Sequence, residues 1–319
     1  MKIPKELPSW DRLTPEDARP FGRIRLIAAD LDGTLVQQGA SDIFNVIAKL
    51  RSSLAHSRYD VGVTIATGRA FSGVANLVSK IGIPRGMPMV LYNGSVVLRC
   101  GTTKIIQHKS IDRRVVREVL GVLGQTQVTV LVYYFLSPSD LFISPFDFQE
   151  KVCGWTKCSQ FKNEFNGLPV DWRKDLNDLP NLNASAILIH SECLDVLKAA
   201  RDSLVSFKEI SITFSGGKHI EIRPHGSNKA SALVSVAKVL GLSRDEVLAL
   251  GDNDNDAEML EWAGIGVCVG HSSDEAVSHS DYKCKYNVEK GAIEVLRVVR
   301  QARRYFREDN TCSRRENLS

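Results

Sequence analysis

Residues 24–35 read IRLIAADLDGTL: a short apolar run stops on an acid, a second acid follows one residue later, and Gly33 lets the chain turn sharply. An apolar run of this length, closed by a turn signal, reads as a buried parallel strand over Ile24 to Ala29. Two more segments share the pattern. VGVTIA (61–66) stops at Thr67-Gly68-Arg69, and VLAL (247–250) stops at GDNDND (251–256). In an open parallel sheet such strand ends lie along one edge, where ligands bind. Asp30, Asp32, Thr67, Asp252 and Asp256 are therefore expected to meet, although they come from opposite ends of the chain.

The surrounding pattern alternates. Helical periodicity near 41–55 and 70–80, and again near 228–240, 254–263 and 290–307, separates these runs from further strands at 89–92 and 265–269. This predicts an α/β fold, a doubly wound, Rossmann-like parallel sheet with helices on both faces. Residues 95–222 differ in texture. They hold strand-like pieces at 95–99, 104–108, 128–135, 184–190, 210–214 and 219–222, with helical patterns at 112–123 and 192–204. Such a length cannot be a loop in a compact domain. We expect an inserted α+β cap domain over 95–222 and a core built from 21–94 and 223–308. Asn93-Gly94 and Pro224-His225-Gly226 are turn formers suited to the two hinges. Residues 1–20, polar and interrupted by Pro4, Pro8, Pro15 and Pro20, read as a flexible tail, as do residues 309–319.

The 319 residues, 43% hydrophobic and 24% charged, suit a two-domain globular protein. Lys and Arg total 41 against 37 Asp and Glu, and the resulting +4 is spread along the chain, which argues against nucleic acid as a partner. No window approaches the roughly 18 to 20 apolar residues that cross a bilayer, so no membrane partner is expected. The first twenty residues resemble neither a secretory nor a transit signal. The seven cysteines are odd in number and scattered, and Cys153 and Cys158 lack a second pair or nearby His to complete a zinc site. Free thiols in a reducing compartment, the cytoplasm, are the expectation. Arg297, Arg300, Arg303, Arg304 and Arg307 recur at helical spacing and read as a solvated face. The sequence carries no signal for oligomeric state.

The strand-end residues suggest a chemistry. Asp30 and Asp32 can divide the roles of nucleophile and proton carrier, and a bound cation would let a nucleophilic Asp stay ionised beside other acids. Calcium in an EF-hand is excluded by position: that loop needs Gly at its sixth place and Glu at its twelfth, and counting from Asp252 these are Ala257 and Ala263. The Thr67 hydroxyl and the N–H groups of the turn at Gly68 can bind phosphate oxygens at a helix start, although a helix cap is the plainer reading of that Thr. Lys229 opens a helix, where a cation is disfavoured unless an anion is near; a solvent-exposed lysine is the alternative. Capping accounts for one or two of the acids in GDNDND but not for Asp252, Asn255 and Asp256 together. Mg²⁺ takes a few carboxylate oxygens with water and substrate phosphate, which fits Asp30, Asp252 and the carbonyl of Asp32.

Taken in order, DLDGT (30–34), ATGR (66–69), the Lys of HGSNKA (225–230) and GDNDND with EMLEWAG (258–264) resemble the four motifs of the haloacid dehalogenase superfamily, in particular its Cof-type branch with a large inserted cap. NGS at 93–95 and EIRPHGSNK at 221–229 are also similar to that branch. The similarity covers about 21–95 and 219–295; the cap matches by length and position alone. His271-Ser272 and Ala230 depart from the usual family residues. The resemblance implies a phosphatase acting on a small phosphorylated metabolite, such as a sugar phosphate, as in sucrose-phosphate phosphatases. It implies Asp30 as the residue that becomes an aspartyl-phosphate and Asp32 as general acid and base. Thr67, Gly68, Lys229 and Asn255 would bind phosphate, and Asp30, Asp32, Asp252 and Asp256 would hold Mg²⁺. Trp155, Trp172, Arg173, His219 and Arg223 are cap-side candidates for specificity. A phosphomannomutase-like phosphomutase and a non-catalytic protein that binds phosphorylated metabolites are the alternatives.

Overall fold

The computed structural model describes residues 2–37, 43–57, 61–102, 104–136, 148–157, 164–165, 168–215 and 218–316. Its core sheet contains β1 (Lys5–Glu6), β2 (Leu26–Ala29), β3 (Gly62–Ile65), β14 (Val247–Gly251), β15 (Ile265–Cys268) and β16 (Tyr282–Lys283), in the order β1-β16-β15-β14-β2-β3. Every pairing in it is parallel. Strands buried on both faces must be apolar throughout, and β2 shows why. Ile27 and Ala29 face one hydrophobic cluster, with Phe21, Leu50, Val78 and Val295, while Leu26 and Ala28 face another, with Leu233, Met259 and Ala276. Helices α1 (Pro15–Phe21), α2 (Ile43–Ser57), α3 (Ala75–Ile81) and α9 (Val288–Glu316) cover the first face. Helices α6 (Lys229–Leu240), α7 (Ala257–Trp262) and α8 (Asp274–Ser278) cover the second. The sheet is doubly wound, as expected.

The N-terminal residues are not a loose tail. Lys5–Glu6 pairs with Tyr282–Lys283 at the sheet edge, the Thr14 hydroxyl caps α1 by accepting from the Asp17 N–H at 3.2 Å, and Pro15 takes the first helical position, where its missing N–H costs nothing. Leu7, Leu13, Ala18 and Phe21 are buried, and these few apolar side chains dock a segment whose composition is otherwise polar. At the other end α9 runs to Glu316, so the expected tail from 309 is helical to that point; 317–319 lie outside the described residues.

The entry to the cap also shifts. β5 (Val96–Arg99) and β6 (Ile105–His108), expected within the insert, continue an antiparallel sheet from β4 (Pro88–Leu91), β5 pairing with β4 and β6 with β5, and pack against α6. The chain turns back at Asn93-Gly94 instead of leaving the core. Gly94 has φ +103°, and a Cβ there would lie 2.1 Å from the Asn228 carbonyl oxygen, so no other residue fits.

The cap is a separate seven-stranded sheet of β7 (Thr129–Leu136), β8 (Gln149–Thr156), β9 (Glu164–Phe165), β10 (Leu168–Trp172), β11 (Ala186–His190), β12 (Ile210–Ser215) and β13 (His219–Pro224), ordered β12-β13-β11-β7-β8-β10-β9. On one face Val130, Val132 and Tyr134 of β7 pack under α4 (Arg113–Leu123) and α5 (Leu194–Leu204). On the other, Leu131, Tyr133 and Phe135 join the core cluster that holds Tyr92. The uncovered face of the cap sheet is thus turned to the core. Among the described residues no helix is long and apolar enough to cross a membrane.

Candidate active site

The three decisive strand ends do meet. The Asp30 N–H donates to the Leu250 carbonyl at 2.8 Å, which fixes the end of β2 beside the end of β14. Lys229 is the first residue of α6, held there by an Asn228–Ser231 capping box, and its side chain is fully buried. Its Nζ donates to Asp30 Oδ1 at 2.6 Å and to Asp256 Oδ1 at 2.5 Å. The other Asp256 oxygen accepts from the N–H groups of Asp252 (2.9 Å) and Asn253 (3.0 Å). Asp252 Oδ1 accepts from the Thr34 hydroxyl at 2.5 Å. Gly33 lies beneath it at φ +91°, where a Cβ would stand 2.3 Å from Asp252 Oδ2.

Asp30, Asp252 and Asp256 each offer an oxygen within 4.8 Å of the others. With Lys229 they leave two negative charges uncompensated in a closed site, a costly arrangement. Burial raises the Asp30 pKa well above the usual carboxylate range, opposed by Lys229 and reinforced by Asp256 and Asp252. Burial likewise lifts Asp252 to about 6, against the Thr34 hydrogen bond. Burial alone would lower the Lys229 pKa, but Asp256 and Asp30 outweigh it and hold the ammonium charged. A cluster of hard oxygen donors carrying a twofold negative excess fits Mg²⁺ in both charge and ligand type.

The carboxylate of Asp32, the residue whose carbonyl is the group expected at the metal, stands apart from this cluster. Arg69 takes it in a two-pronged pair, Nε to Oδ2 at 2.7 Å and Nη2 to Oδ1 at 2.5 Å. A fork of guanidinium N–H groups fixes the plane of that carboxylate, as its expected acid and base role requires.

Of the residues expected to bind phosphate, Thr67 is buried, its carbonyl accepts from the Asn93 N–H at 3.0 Å and its hydroxyl from the Arg69 N–H at 3.2 Å. Gly68 packs so tightly on Asn93 that a Cβ would come within 2.8 Å of Asn93 Nδ2. Asn255 Nδ2 donates to Asn93 Oδ1 at 3.2 Å, Asn93 Nδ2 donates to the buried Glu221, and Arg223 Nη1 donates to the Asn93 carbonyl at 3.3 Å. Asn93 thereby ties Thr67, Asn255 and the last cap strand together from a left-handed conformation, φ +47°. In the sequence it reads as a turn former and as part of the NGS similarity, with no partner indicated.

Arg69, Thr34 and Glu221 lie within the motifs ATGR, DLDGT and EIRPHGSNK, but their contacts are with residues distant in sequence, which no local pattern signals. Of the cap-side candidates, Arg223 reaches this network. Trp155 packs on the helix side of the cap sheet, Arg173 pairs with Asp171, and His219 contacts His190 at 3.1 Å.

A parallel core, a sheet cap inserted beside it and carboxylates gathered at the strand ends define a core-and-cap hydrolase. A family profile described as haloacid dehalogenase-like hydrolase matches residues 27–296, and the chain belongs to that family. It is 28% identical over 288 residues to the Bacillus subtilis 5-amino-6-(5-phospho-D-ribitylamino)uracil phosphatase YwtE, an alignment that covers 84% of this chain and 95% of that protein. Its fold is shared with a haloacid dehalogenase-like hydrolase from Bacteroides thetaiotaomicron, with a TM-score of 0.67 at 21% identity over 86% of this chain and 98% of the other. The subclass IIB sugar phosphatase BT4131 gives a TM-score of 0.63 at 16% identity, over 81% and 92%.

Proposed function

We propose that this chain is a Mg²⁺-dependent phosphatase of small phosphomonoesters, of sugar-phosphate type, working through an aspartyl-phosphate on Asp30. The observation that carries this reading is the Asp30–Lys229–Asp256 contact beside Asp252 at the joined ends of β2 and β14. Asp30, Asp252 and Asp256 would hold the metal, which when bound offsets the excess negative charge and steadies the phosphoryl oxygens.

In this reading an Asp30 oxygen attacks phosphorus as the ester P–O bond breaks. Asp32, oriented by Arg69, supplies the proton to the departing oxygen and later takes one from the water that cleaves the acyl phosphate. Lys229 has three N–H donors and spends two on Asp30 and Asp256, so one is left for a phosphoryl oxygen. The Thr67 hydroxyl and the Gly68 N–H would complete the anion site, with Asn255 held beside them by Asn93. The names of the similar proteins, a phosphorylated-ribitylaminouracil phosphatase and a sugar phosphatase, support a phosphorylated polyol or sugar as substrate. The scattered cysteines, five of them free in the described residues, support a reducing compartment such as the cytoplasm.

The test is turnover of p-nitrophenyl phosphate and a panel of sugar phosphates with Mg²⁺, by wild type and Asp30→Asn. Release of inorganic phosphate that disappears in the variant is expected. Isomerisation of a sugar phosphate without release would favour a mutase, and undiminished turnover by Asp30→Asn would place the nucleophile elsewhere.

A further inference from the structure

The turn that follows the second motif is not helical, although the sequence pattern extends a helix over 70–80: α3 begins only at Ala75. Two backbone N–H groups of this turn converge on a carboxylate from the cap. Phe71 N donates to Glu150 Oε1 at 2.7 Å, Ser72 N to Oε2 at 2.8 Å and the Ser72 hydroxyl to Oε2 at 2.6 Å. The Tyr92 hydroxyl adds a fourth bond, to Oε1 at 2.6 Å. All four donors belong to the core, and Glu150 belongs to β8 of the cap.

The contact is walled by rings from both sides. Phe71 meets Phe148 edge-on at 5.2 Å, Phe148 stacks on Phe135 at 4.6 Å, and Tyr92 lies edge-on to Tyr133 at 6.0 Å. An apolar surround strengthens charge-assisted hydrogen bonds and makes a single lost donor expensive. Burial, with the Glu150 charge beside it, keeps the Tyr92 hydroxyl protonated and donating.

The same turn also holds Arg69. Arg69 Nη1 donates to the Gly73 carbonyl at 3.3 Å while its Nε and Nη2 grip Asp32. One short loop therefore carries the Glu150 carboxylate at residues 71–72 and the Arg69 guanidinium at residue 73.

We propose that Glu150 is a positioning residue supplied by the cap: with the cap seated, its carboxylate fixes the 70–74 turn, the turn fixes Arg69, and Arg69 presents Asp32 to the leaving-group oxygen. The catalytic half of this inference rests on the phosphatase reading; the tie between Glu150 and the turn does not. Closure of the cap over a substrate would then complete the proton donor at the moment water is excluded, and lifting it would release both.

Two measurements on full-length protein in Mg²⁺ buffer test this: amide exchange of residues 70–74, and kcat with KM for p-nitrophenyl phosphate and phenyl phosphate. The two esters have nearly the same shape, but phenoxide is the poorer leaving group and needs the proton from Asp32. Glu150→Ala is expected to speed exchange at Phe71 and Ser72 by about tenfold or more. It should lower kcat on phenyl phosphate about tenfold further than on p-nitrophenyl phosphate, with KM little moved. Glu150→Gln, which keeps one accepting oxygen and the side-chain volume, should fall between and guards against a folding defect. Unchanged exchange in both variants would overturn the tie to the turn. Faster exchange with equal losses on the two esters would overturn the link to Asp32. If wild type cleaves neither ester, the phosphatase reading and the catalytic half fail, while exchange still decides whether Glu150 fixes the turn.

Discussion

The Lys229 ammonium stands 2.6 Å from the Asp30 carboxylate, and both are buried: Lys229 is 0% exposed and Asp30 5%. A lysine so placed cannot be a surface residue at a helix start. It compensates charge in the resting protein and can turn one N–H to an incoming phosphoryl group. Removing it therefore has two separable effects.

Lys229→Met is expected to cost roughly 3 to 5 kcal/mol of stability in EDTA, because Asp30 and Asp256 are left as buried charges without their partner. It should also lower kcat by about 10² to 10³, the usual effect of losing a donor aimed at transition-state charge. Asn255→Ala should lose less on both counts, since the Asn255 amide donates to the neutral Asn93 side chain at 3.2 Å and to no charged group among the described residues. Urea unfolding and steady-state kinetics read the two effects. Equal small losses in kcat from both variants would put the phosphate elsewhere.

Stability without metal should fall as the solution becomes less acidic. Asp252 has a folded pKa of about 6 against an ordinary 3.8, so the folded protein holds that proton more tightly than the unfolded chain does. The stabilisation is complete below the unfolded pKa and is lost as pH rises through about 6. Asp30, whose pKa is also raised, acts in the same direction. Thermal unfolding in EDTA should show a midpoint that drops between pH 4.5 and pH 7, with Mg²⁺ restoring most of the loss at the upper end and Asp252→Asn flattening the slope. A midpoint that rises over that interval, or one that Mg²⁺ leaves untouched, would contradict the assignment of these carboxylates to a metal.

Gly33→Ala tests the same centre from beneath. The new methyl would stand 2.3 Å from Asp252 Oδ2, on a backbone whose φ of +91° already disfavours a side chain. Either the loop or the Asp252 carboxylate must move. The expected result is a loss of about 1 to 3 kcal/mol in stability together with a raised Mg²⁺ requirement for turnover, read by titrating the metal against activity. A variant that is destabilised but keeps its metal dependence would mean that the loop, not the carboxylate, yields.

What the sequence disclosed here and what it withheld divide along a physical line. β2, β3 and β14 were legible because strands buried on both faces must be unbroken apolar runs, and their polar ends fall where the sheet geometry puts them. The 1–20 segment reads as a tail because only three buried apolar side chains, Leu7, Leu13 and Ala18, dock it against an otherwise polar background. The cap strands Gln149–Thr156 and Leu168–Trp172 carry Lys, Glu, Pro and Asp without alternation, and only their neighbours in the sheet make them strands. The Asp32–Arg69 pair lay inside motifs already quoted, yet nothing local says which way a carboxylate turns. Asn93 is the strongest instance, since its role depends on three partners that are distant in sequence.

Asn93 offers the last prediction. Asn93→Gly keeps the left-handed backbone and removes the amide, which leaves the buried Glu221 carboxylate and the Asn255 amide each without this partner. A loss of about 1 to 3 kcal/mol is expected from the unpaired groups. Asn93→Asp keeps the shape but sets a second carboxylate against Glu221, whose pKa burial already raises. Protonation of one of the two relieves the repulsion, so Asn93→Asp should lie close to Asn93→Gly at pH 5 and become the less stable of the two at pH 8. Urea unfolding of both variants at the two pH values decides it. If Asn93→Asp matched wild type at pH 8, the amide could not be the donor that satisfies Glu221, and the joint between the cap strand and the phosphate loop would have to run through the backbone alone.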